Sequence, residues 1–289
     1  MRVYGSDAIR NVAFVGHGGS GKTTLVDALA FVSGASRRHG NIKDGTTLTD
    51  YTPDEIARQH SISLGLAYAE WMDTKLNLLD TPGYLDFFGE VVTGLHAADA
   101  AVVVVSGVSG VEVGTEKAWE VCDRLHLPRL IFVGQMDKEH ANFERVFADV
   151  KAHLSPKVLP VEVPIGEGPS FRGIVNLFSG KSHIYKPGTK SGEYDEVEVP
   201  AEHQAEVKKY SDLLIETVAA TDDALIERYL GGEEIPREEV IAALKTAVVA
   251  GSIVPLFVGS ATLTFGMRAL LTKMVEIFPA AADVPPPVA

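Results

Sequence analysis

The strongest constraint on how this chain folds is the glycine-rich run Gly16-His17-Gly18-Gly19-Ser20-Gly21-Lys22-Thr23. The run follows residues 11–15, a short uninterrupted apolar segment of the kind that forms a buried strand. It precedes residues 25–32, where apolar residues recur at helical spacing. In such a strand–loop–helix unit, glycines let backbone N–H groups turn toward phosphate oxygens at the positive end of the helix. The pattern predicts a phosphate-binding loop, and a purely structural strand-to-helix turn is the alternative.

Two motifs predict a site for a nucleoside triphosphate and Mg²⁺. In the glycine-rich run, we expect Lys22 to reach the β- and γ-phosphates and the Thr23 hydroxyl to bind Mg²⁺. The second motif, Asp80-Thr-Pro-Gly83, follows the apolar segment 76–79 and therefore lies at the carboxyl end of a strand, where ligands bind in open α/β sheets. We expect Asp80 to hold Mg²⁺ and the Gly83 N–H to contact the γ-phosphate. Alone, the tetrapeptide would be an ordinary turn.

Strand and helix patterns alternate along most of the chain. Further buried-strand patterns lie at residues 101–105, 130–133 and 255–258, and helical patterns lie at residues 116–125 and 139–154. This alternation predicts parallel βαβ units and thus an α/β fold of the P-loop NTPase type, with a doubly wound, mostly parallel sheet. Residues 61–71 are predicted to add a strand that pairs with residues 76–79 through a turn at Met72-Asp73.

The alternation is interrupted after Pro164 by a segment rich in Gly, Pro and Ser, followed by two amphipathic helices. We predict an inserted α+β subdomain at residues 157–251. The nucleotide-binding domain would then comprise residues 1–156 and 252–280. Residues 281–289, which contain three consecutive prolines, are predicted to be a linker to further domains.

Composition excludes several classes of protein. A net charge of −13 argues against a chain that wraps DNA with its whole surface, because phosphate neutralisation needs clustered Lys and Arg. Residues 193–245 carry fifteen acidic and five basic residues, which suggests a solvated helical face or, less commonly, a partner surface. Apolar runs are too short to span a membrane, and the first thirty residues lack a signal-peptide pattern. With Cys122 as the single cysteine, predicted to be buried, we expect a cytoplasmic monomer.

Taken together, the motifs resemble those of the translational GTPases, and of elongation factor G in particular. The matching residues are Gly21-Lys-Thr-Thr24, Asp80-Thr-Pro-Gly-Tyr-Leu-Asp-Phe87, Gln135-Met-Asp-Lys-Glu-His-Ala-Asn-Phe143 and Gly259-Ser-Ala261. The inserted region is similar to that family's G′ subdomain. The resemblance implies GTP and GDP as ligands, Mg²⁺ as cofactor, GTP hydrolysis, and the ribosome with its stalk protein as partner. It also implies switch segments at about residues 37–62 and 80–96.

The resemblance assigns roles to individual residues. Those that would contact the nucleotide are His17, Gly18, Gly19, Ser20, Gly21, Lys22, Thr23, Thr24, Gln135, Asp137, Ser260 and Ala261. Those that would bind Mg²⁺ are Thr23, Ser61 and Asp80. Those that would act in the hydrolytic step are Lys22, Gly83 and Tyr84. Ser61 replaces the family's threonine in Arg58-Gln-His-Ser-Ile-Ser63, and a serine at the start of a strand is a near-equal interpretation.

The guanine motif departs from the family pattern, because Gly134-Gln135 replaces Asn-Lys. Asp137 remains to accept the guanine N1 and N2 hydrogens, and leaving that carboxylate unpaired with adenine would disfavour ATP. We expect weaker base binding and still a preference for guanine, with relaxed specificity as an alternative. Asp137 could also be the N-cap of the helix that follows it.

The catalytic region departs as well. Tyr84 replaces a His that positions the attacking water in the family, and a phenol is neutral at pH 7 and a poor base. We therefore expect hydrolysis to be slow without a partner. The alternatives are a Tyr84 that only packs beneath the switch segment, and a regulatory module that binds GTP or GDP with little or no hydrolysis. Gly19 replaces an aspartate and so removes any cation contact of that residue.

Overall fold

A computed structural model describes residues 2–186, 188–189 and 191–284. The strands are β1 (Ile9–Val15), β2 (Gly65–Trp71), β3 (Thr74–Asp80), β4 (Ala100–Ser106), β5 (Arg129–Gly134), β6 (Val158–Pro160), β7 (Glu162–Ile165), β8 (Gly173–Asn176), β9 (Lys181–Tyr185), β10 (Tyr194–Glu198) and β11 (Val254–Val258). The helices are α1 (Lys22–Val32), α2 (Pro53–Arg58), α3 (Phe88–His96), α4 (Val113–Arg124), α5 (Phe143–His153), α6 (Gln204–Ala219), α7 (Asp223–Leu230), α8 (Arg237–Val249) and α9 (Met267–Ile277).

A seven-stranded sheet in the order β2-β3-β1-β4-β5-β11-β6 forms the centre of the molecule. All of its pairings are parallel except that of β2 with β3. Every residue of β4 is buried, which is why its sequence is an unbroken apolar run rather than an alternating one. Helix α1 contacts α9, and α3 contacts α4. The predicted α/β fold with a mostly parallel sheet is confirmed.

Two predicted elements have different boundaries in the structure. Strand β2 begins at Gly65, and not at residue 61, because the Ile62 and Ser63 N–H groups donate to the Glu55 carboxylate and not to a neighbouring strand. Helix α5 begins at Phe143, and not at residue 139, because the Asn142 side chain caps it by accepting from the Arg145 N–H. In both places a side chain outside the periodic pattern takes over backbone hydrogen bonds.

The second sheet is antiparallel, in the order β10-β9-β8-β7, and helices α6, α7 and α8 follow it in the chain. Strand β6 falls within the range 157–251 that the sequence suggested for the insertion, yet it pairs with β11 at the edge of the large sheet. Residues 285–289 of the predicted linker lie outside the described residues. Within the described part of the chain, no helix has the length and apolarity required to cross a membrane.

The loop that follows β11 lies where the two sheets meet. The Tyr185 ring, on β9, stacks on Phe265 with ring centroids 4.2 Å apart, and its hydroxyl accepts a 2.7 Å hydrogen bond from the Gly266 N–H. On the same side, a Cβ at Gly192, whose φ is +60°, would lie 2.2 Å from the Thr264 carbonyl oxygen. Residues 264–266 are therefore in contact with β9 and with the segment that precedes β10.

Candidate nucleotide-binding site

The glycine-rich run forms a tight loop between β1 and α1. Gly16, with φ of +145°, passes so close to β4 that a Cβ would lie 2.3 Å from the Val104 carbonyl oxygen. Gly21 has φ of +97° and stands immediately before Lys22, the first residue of α1. Only glycine adopts both conformations without strain. The loop therefore presents the amino-terminal end of α1, with its unsatisfied N–H groups, to a cavity of about 230 Å³.

Lys22 is buried beneath this loop. Its ammonium donates hydrogen bonds to the carbonyl oxygens of Gly16 at 3.0 Å and of His17 at 2.8 Å. Burial lowers the Lys22 pKa to about 8, and the negative charges of Asp80, Asp50 and Glu112 act against that shift. The group is still mostly charged at pH 7 and lines the cavity that the loop surrounds.

Three predicted Mg²⁺ ligands come from distant segments. The hydroxyls of Thr23 and Ser61 lie 3.1 Å apart, and Ser61 is buried and outside β2, so it does not start a strand. Asp80, at the end of β3, accepts a 2.6 Å hydrogen bond from Thr49 through Oδ2. Its Oδ1 is buried and has no partner among the described residues. Burial raises the Asp80 pKa to about 6, against the Thr49 hydrogen bond and the Lys22 charge, which both favour the ionised form.

Asp137 lies in the segment that follows β5. A second, smaller cavity there is lined by Asp137, Thr24, Ala261 and Ser20, among others. The Asp137 side chain is half-buried, and Asn142 rather than Asp137 caps α5. The interpretation of Asp137 as the N-cap of that helix is therefore wrong. Its carboxylate faces a cavity of suitable chemistry for the N–H groups of a base.

Gln135 joins the two ends of the site. Its side-chain nitrogen donates to the Gly19 carbonyl oxygen of the phosphate loop, and its side-chain oxygen accepts from the Ser106 hydroxyl, both at 2.8 Å. Next to it, a Cβ at Gly134 would lie 3.2 Å from the Phe132 ring. Phe132 thus occupies the space into which a larger residue at 134 would project. Gln135 and Phe132 together occupy the region in which this chain lacks the family's Asn-Lys pair.

Comparison with known proteins agrees with this geometry. Residues 7–280 match the model of the elongation factor Tu GTP binding domain. The chain belongs to this family. A crystal structure of a protein from Thermus thermophilus is similar to this GTP-binding domain, with 39% sequence identity and a TM-score of 0.88 over 96% of the chain. The domain spans 41% of that protein's chain. The family is one of translational GTPases, and guanine nucleotide is its ligand.

Several predicted contact residues of the GTP-binding domain have other roles in the loop. The His17 side chain turns toward α4, where Nδ1 accepts from the Gly114 N–H at 3.2 Å and Nε2 lies 3.6 Å from the Glu112 carboxylate. Its backbone, not its ring, is what faces Lys22. The Ser260 hydroxyl accepts from the Leu263 N–H at 3.1 Å and so shapes the loop that presents Ala261.

Gly83 and Tyr84 lie directly against the phosphate loop. A Cβ at Gly83 would lie 2.4 Å from the Lys22 ammonium and 2.6 Å from the Gly18 nitrogen. The Tyr84 ring covers Gly18, where a Cβ would lie 3.1–3.2 Å from three ring atoms. It also contacts His60, with ring centroids 4.7 Å apart. Although it packs in this way, Tyr84 remains 44% exposed.

Sequence reasoning missed two polar residues of this GTP-binding domain. Thr49 supplies the hydroxyl that orients Asp80, and Asp50 is buried beside it with an Oδ2 that lacks a partner in the described chain. Burial raises the Asp50 pKa, while contact with the Ser61 hydroxyl opposes the shift. The only signal in the sequence is an acidic residue eleven positions before Ser61, in a segment with no periodic pattern.

Proposed function

We propose that the chain is the GTP-binding domain of an elongation factor G-like translational GTPase. In this proposal it binds GTP or GDP with Mg²⁺ and hydrolyses GTP to GDP and phosphate, and the hydrolysis switches its interaction with the ribosome. The observation that carries the proposal is the meeting of Thr23, Ser61 and Asp80 beside the phosphate loop, where the Thr23 and Ser61 hydroxyls lie 3.1 Å apart and contact with the Thr23 hydroxyl opposes the rise in the Asp80 pKa. Nothing in a purely structural loop requires two hydroxyls and an incompletely bonded buried carboxylate to converge from three segments.

The residues present fit Mg²⁺. The ion prefers oxygen ligands, and it would be held by the hydroxyls of Thr23 and Ser61 and by Asp80, whose buried Oδ1 otherwise has no described partner. When bound, Mg²⁺ neutralises charge on the β- and γ-phosphate oxygens. Lys22 and the N–H groups of the loop would stabilise the remaining charge. The Gly83 backbone lies close enough to Lys22 to contact the same phosphate group.

A switch is built into the contacts between the two predicted switch segments. Thr49 of the first segment donates to Asp80 of the second, and the Leu64 N–H, two residues beyond the first segment, donates to the Glu90 carboxylate of the second at 2.8 Å. Ser61, also of the first segment, contacts Thr23 at the start of α1. Loss of the γ-phosphate would remove the charge around which these segments are arranged and release them. The proposed partners are the ribosome and its stalk protein, which places the domain in the cytoplasm.

A second candidate function is a regulatory module that holds GTP or GDP with little hydrolysis. The observation that favours it is Tyr84, whose ring is packed on Gly18 and whose phenol is a poor base. In the hydrolase proposal, the same feature makes turnover slow in the absence of the ribosome.

Nucleotide binding and hydrolysis separate these candidates. GTP and GDP affinities should be measured with and without Mg²⁺ on the chain and on Lys22→Ala, with Lys117→Ala, an exposed lysine of α4, as the matched control. We expect Mg²⁺-dependent GTP binding that only Lys22→Ala abolishes. Hydrolysis followed with and without ribosomes should be slow alone and accelerated by ribosomes. Tight GTP binding with no phosphate release under either condition would leave the regulatory module as the function.

A further inference from the structure

A histidine lies beside the site even though Tyr84 stands where the family's histidine is expected. His60 lines the same cavity as Thr23, Ser61, Gly83 and Tyr84. Its ring contacts the Tyr84 ring at 4.7 Å between centroids, with an angle of 56° between the planes. His60 immediately precedes Ser61, so the contact of Ser61 with Thr23 also holds the His60 backbone at the phosphate loop.

The hydrogen bond at one ring nitrogen determines what the other can do. The His60 Nδ1 lies 3.2 Å from the Ser61 carbonyl oxygen, and a carbonyl can only accept. Nδ1 therefore donates in this contact, and in the neutral ring that assigns the lone pair to Nε2. In this tautomer Nε2 can accept a hydrogen bond from a water molecule.

Tyr84 holds this ring in place. Its own position is set by Gly18, because any side chain at 18 would meet the Tyr84 ring at 3.1–3.2 Å. On its other side, His60 also faces Phe87, with ring centroids 6.1 Å apart. The Tyr84 ring therefore packs between Gly18, which leaves room for it, and the His60 ring.

We propose that His60 is a catalytic residue that orients the attacking water through Nε2, and that Tyr84 is a positioning residue for the His60 ring. The inference rests on the proposed GTP hydrolysis. In that step the water oxygen forms a bond to the γ-phosphorus while the bond to the bridging β–γ oxygen breaks, and GDP leaves with that oxygen. One water proton is directed at Nε2 during attack and ends on the released phosphate, so that His60 is unchanged after each turnover.

The test is single-turnover GTP hydrolysis by the chain with excess protein and Mg²⁺, with and without ribosomes, alongside equilibrium GTP affinity. We expect His60→Ala to slow the hydrolytic step about 100-fold, the usual contribution of a group that directs proton transfer, with GTP affinity changed less than about twofold. His60→Gln should recover most of the rate, because an amide oxygen can orient an attacking water, as it does in other GTPases. Tyr84→Phe removes only the phenol hydroxyl and keeps the ring that packs on His60, so it should slow hydrolysis far less than His60→Ala does.

The control is His153→Ala, an exposed histidine of α5, which should alter neither rate nor affinity. A His60→Ala variant that weakens GTP binding as much as it slows hydrolysis, or a His60→Gln variant no faster than His60→Ala, would show a structural role and overturn the inference. Tyr84→Phe slower than His60→Ala would assign the water to the phenol instead, and overturn it equally. GTP binding without hydrolysis by the unaltered chain, even with ribosomes, would defeat the proposed hydrolase function and this inference with it.

Discussion

The phosphate end and the base end of the site are built on different principles. At the phosphate end, the functional side chains contact one another across long sequence separations, as Thr23 does with Ser61 and Thr49 with Asp80. At the base end, Asp137 faces its cavity with no side-chain hydrogen bond to any other described residue, and Gln135 alone ties the region to the loop. Residues of the first kind are constrained by the ligand and by each other. Those of the second kind are constrained mainly by the ligand.

The largest expected effect is at Gly83, where the mutual constraint is tightest. Gly83→Ala places a methyl group 2.4 Å from the Lys22 ammonium and should displace it from the phosphates. Loss of one or two charge-assisted hydrogen bonds lowers GTP affinity about 100-fold, measurable by equilibrium titration. Gly89→Ala is the matched control, because no atom lies within 4 Å of a Cβ at that position. Equal affinities for the two variants would contradict the close packing at Gly83.

The second-largest effect is expected at Asp137, at the base end of the site. Asp137→Asn replaces one of the two oxygens that would accept the guanine N1 and N2 hydrogens with an NH₂ donor and should lower GTP affinity about 30-fold, within the range for an unpaired polar group. Because inosine triphosphate lacks the N2 amino group, the unaltered chain should prefer GTP to it, and the variant should not. Competition between the two nucleotides measures this preference. Glu139→Gln, the same change at an exposed carboxylate nearby, should behave as the unaltered chain.

At the phosphate end, Asp80 should show opposite effects on binding and on stability. The Asp80 pKa is about 6 in the folded protein against an ordinary 3.8, so the unfolded chain loses this proton more readily and stability falls as the pH rises between those values. Asp80→Asn removes that penalty and should stabilise the nucleotide-free domain at pH 7 by about 3 kcal/mol. The same variant should weaken Mg²⁺-dependent GTP binding about tenfold.

Chemical denaturation and GTP titration provide the two measurements for Asp80→Asn. Asp44→Asn, at an exposed position in the first predicted switch segment, should move neither quantity. A destabilised Asp80→Asn variant would mean that the Thr49 hydrogen bond outweighs the cost of burying the charge.

The smallest effect is expected at Gln135, which connects the base end of the site to the phosphate loop. Gln135→Ala breaks the contacts with Gly19 and Ser106 and should lower the affinities for GTP and GDP alike by about fivefold, the value of one neutral hydrogen bond. Ser106→Ala removes only one of the two contacts and should cost less. If Gln135→Ala instead changed the preference between GTP and ATP, Gln135 would contact the base itself and not brace the loop.

Sequence periodicity was sufficient for the central strands of the large sheet and for the phosphate loop, but not for β6, which lies in the range predicted as an insertion. The apolar run of β4 and the glycines before Lys22 have local patterns, because burial on both faces and a sharp turn each restrict residue types position by position. The Asp80 motif was equally predictable, since it follows directly from the end of a buried strand.

The rest depended on contacts that no local pattern encodes. Residues 61–64 leave the strand pattern because Glu55 accepts two of their N–H groups. The Gln135 contact with Gly19 joins positions 116 residues apart, and the departure from the family motif gave no hint of it. His60 and Asp50 lie in a segment without periodicity, where only the folded structure shows which side chains face the cavity.

The placement of residues 260–266 between the two sheets has a thermodynamic consequence. Cutting away the second sheet would leave the Gly266 N–H without the Tyr185 hydroxyl and expose Phe265, so the loop that is proposed to contact the base and the proposed insertion share part of their stability. A protein that binds the insertion and shifts this loop would change nucleotide affinity by some factor. Reciprocity then requires the nucleotide to change that protein's affinity by the same factor.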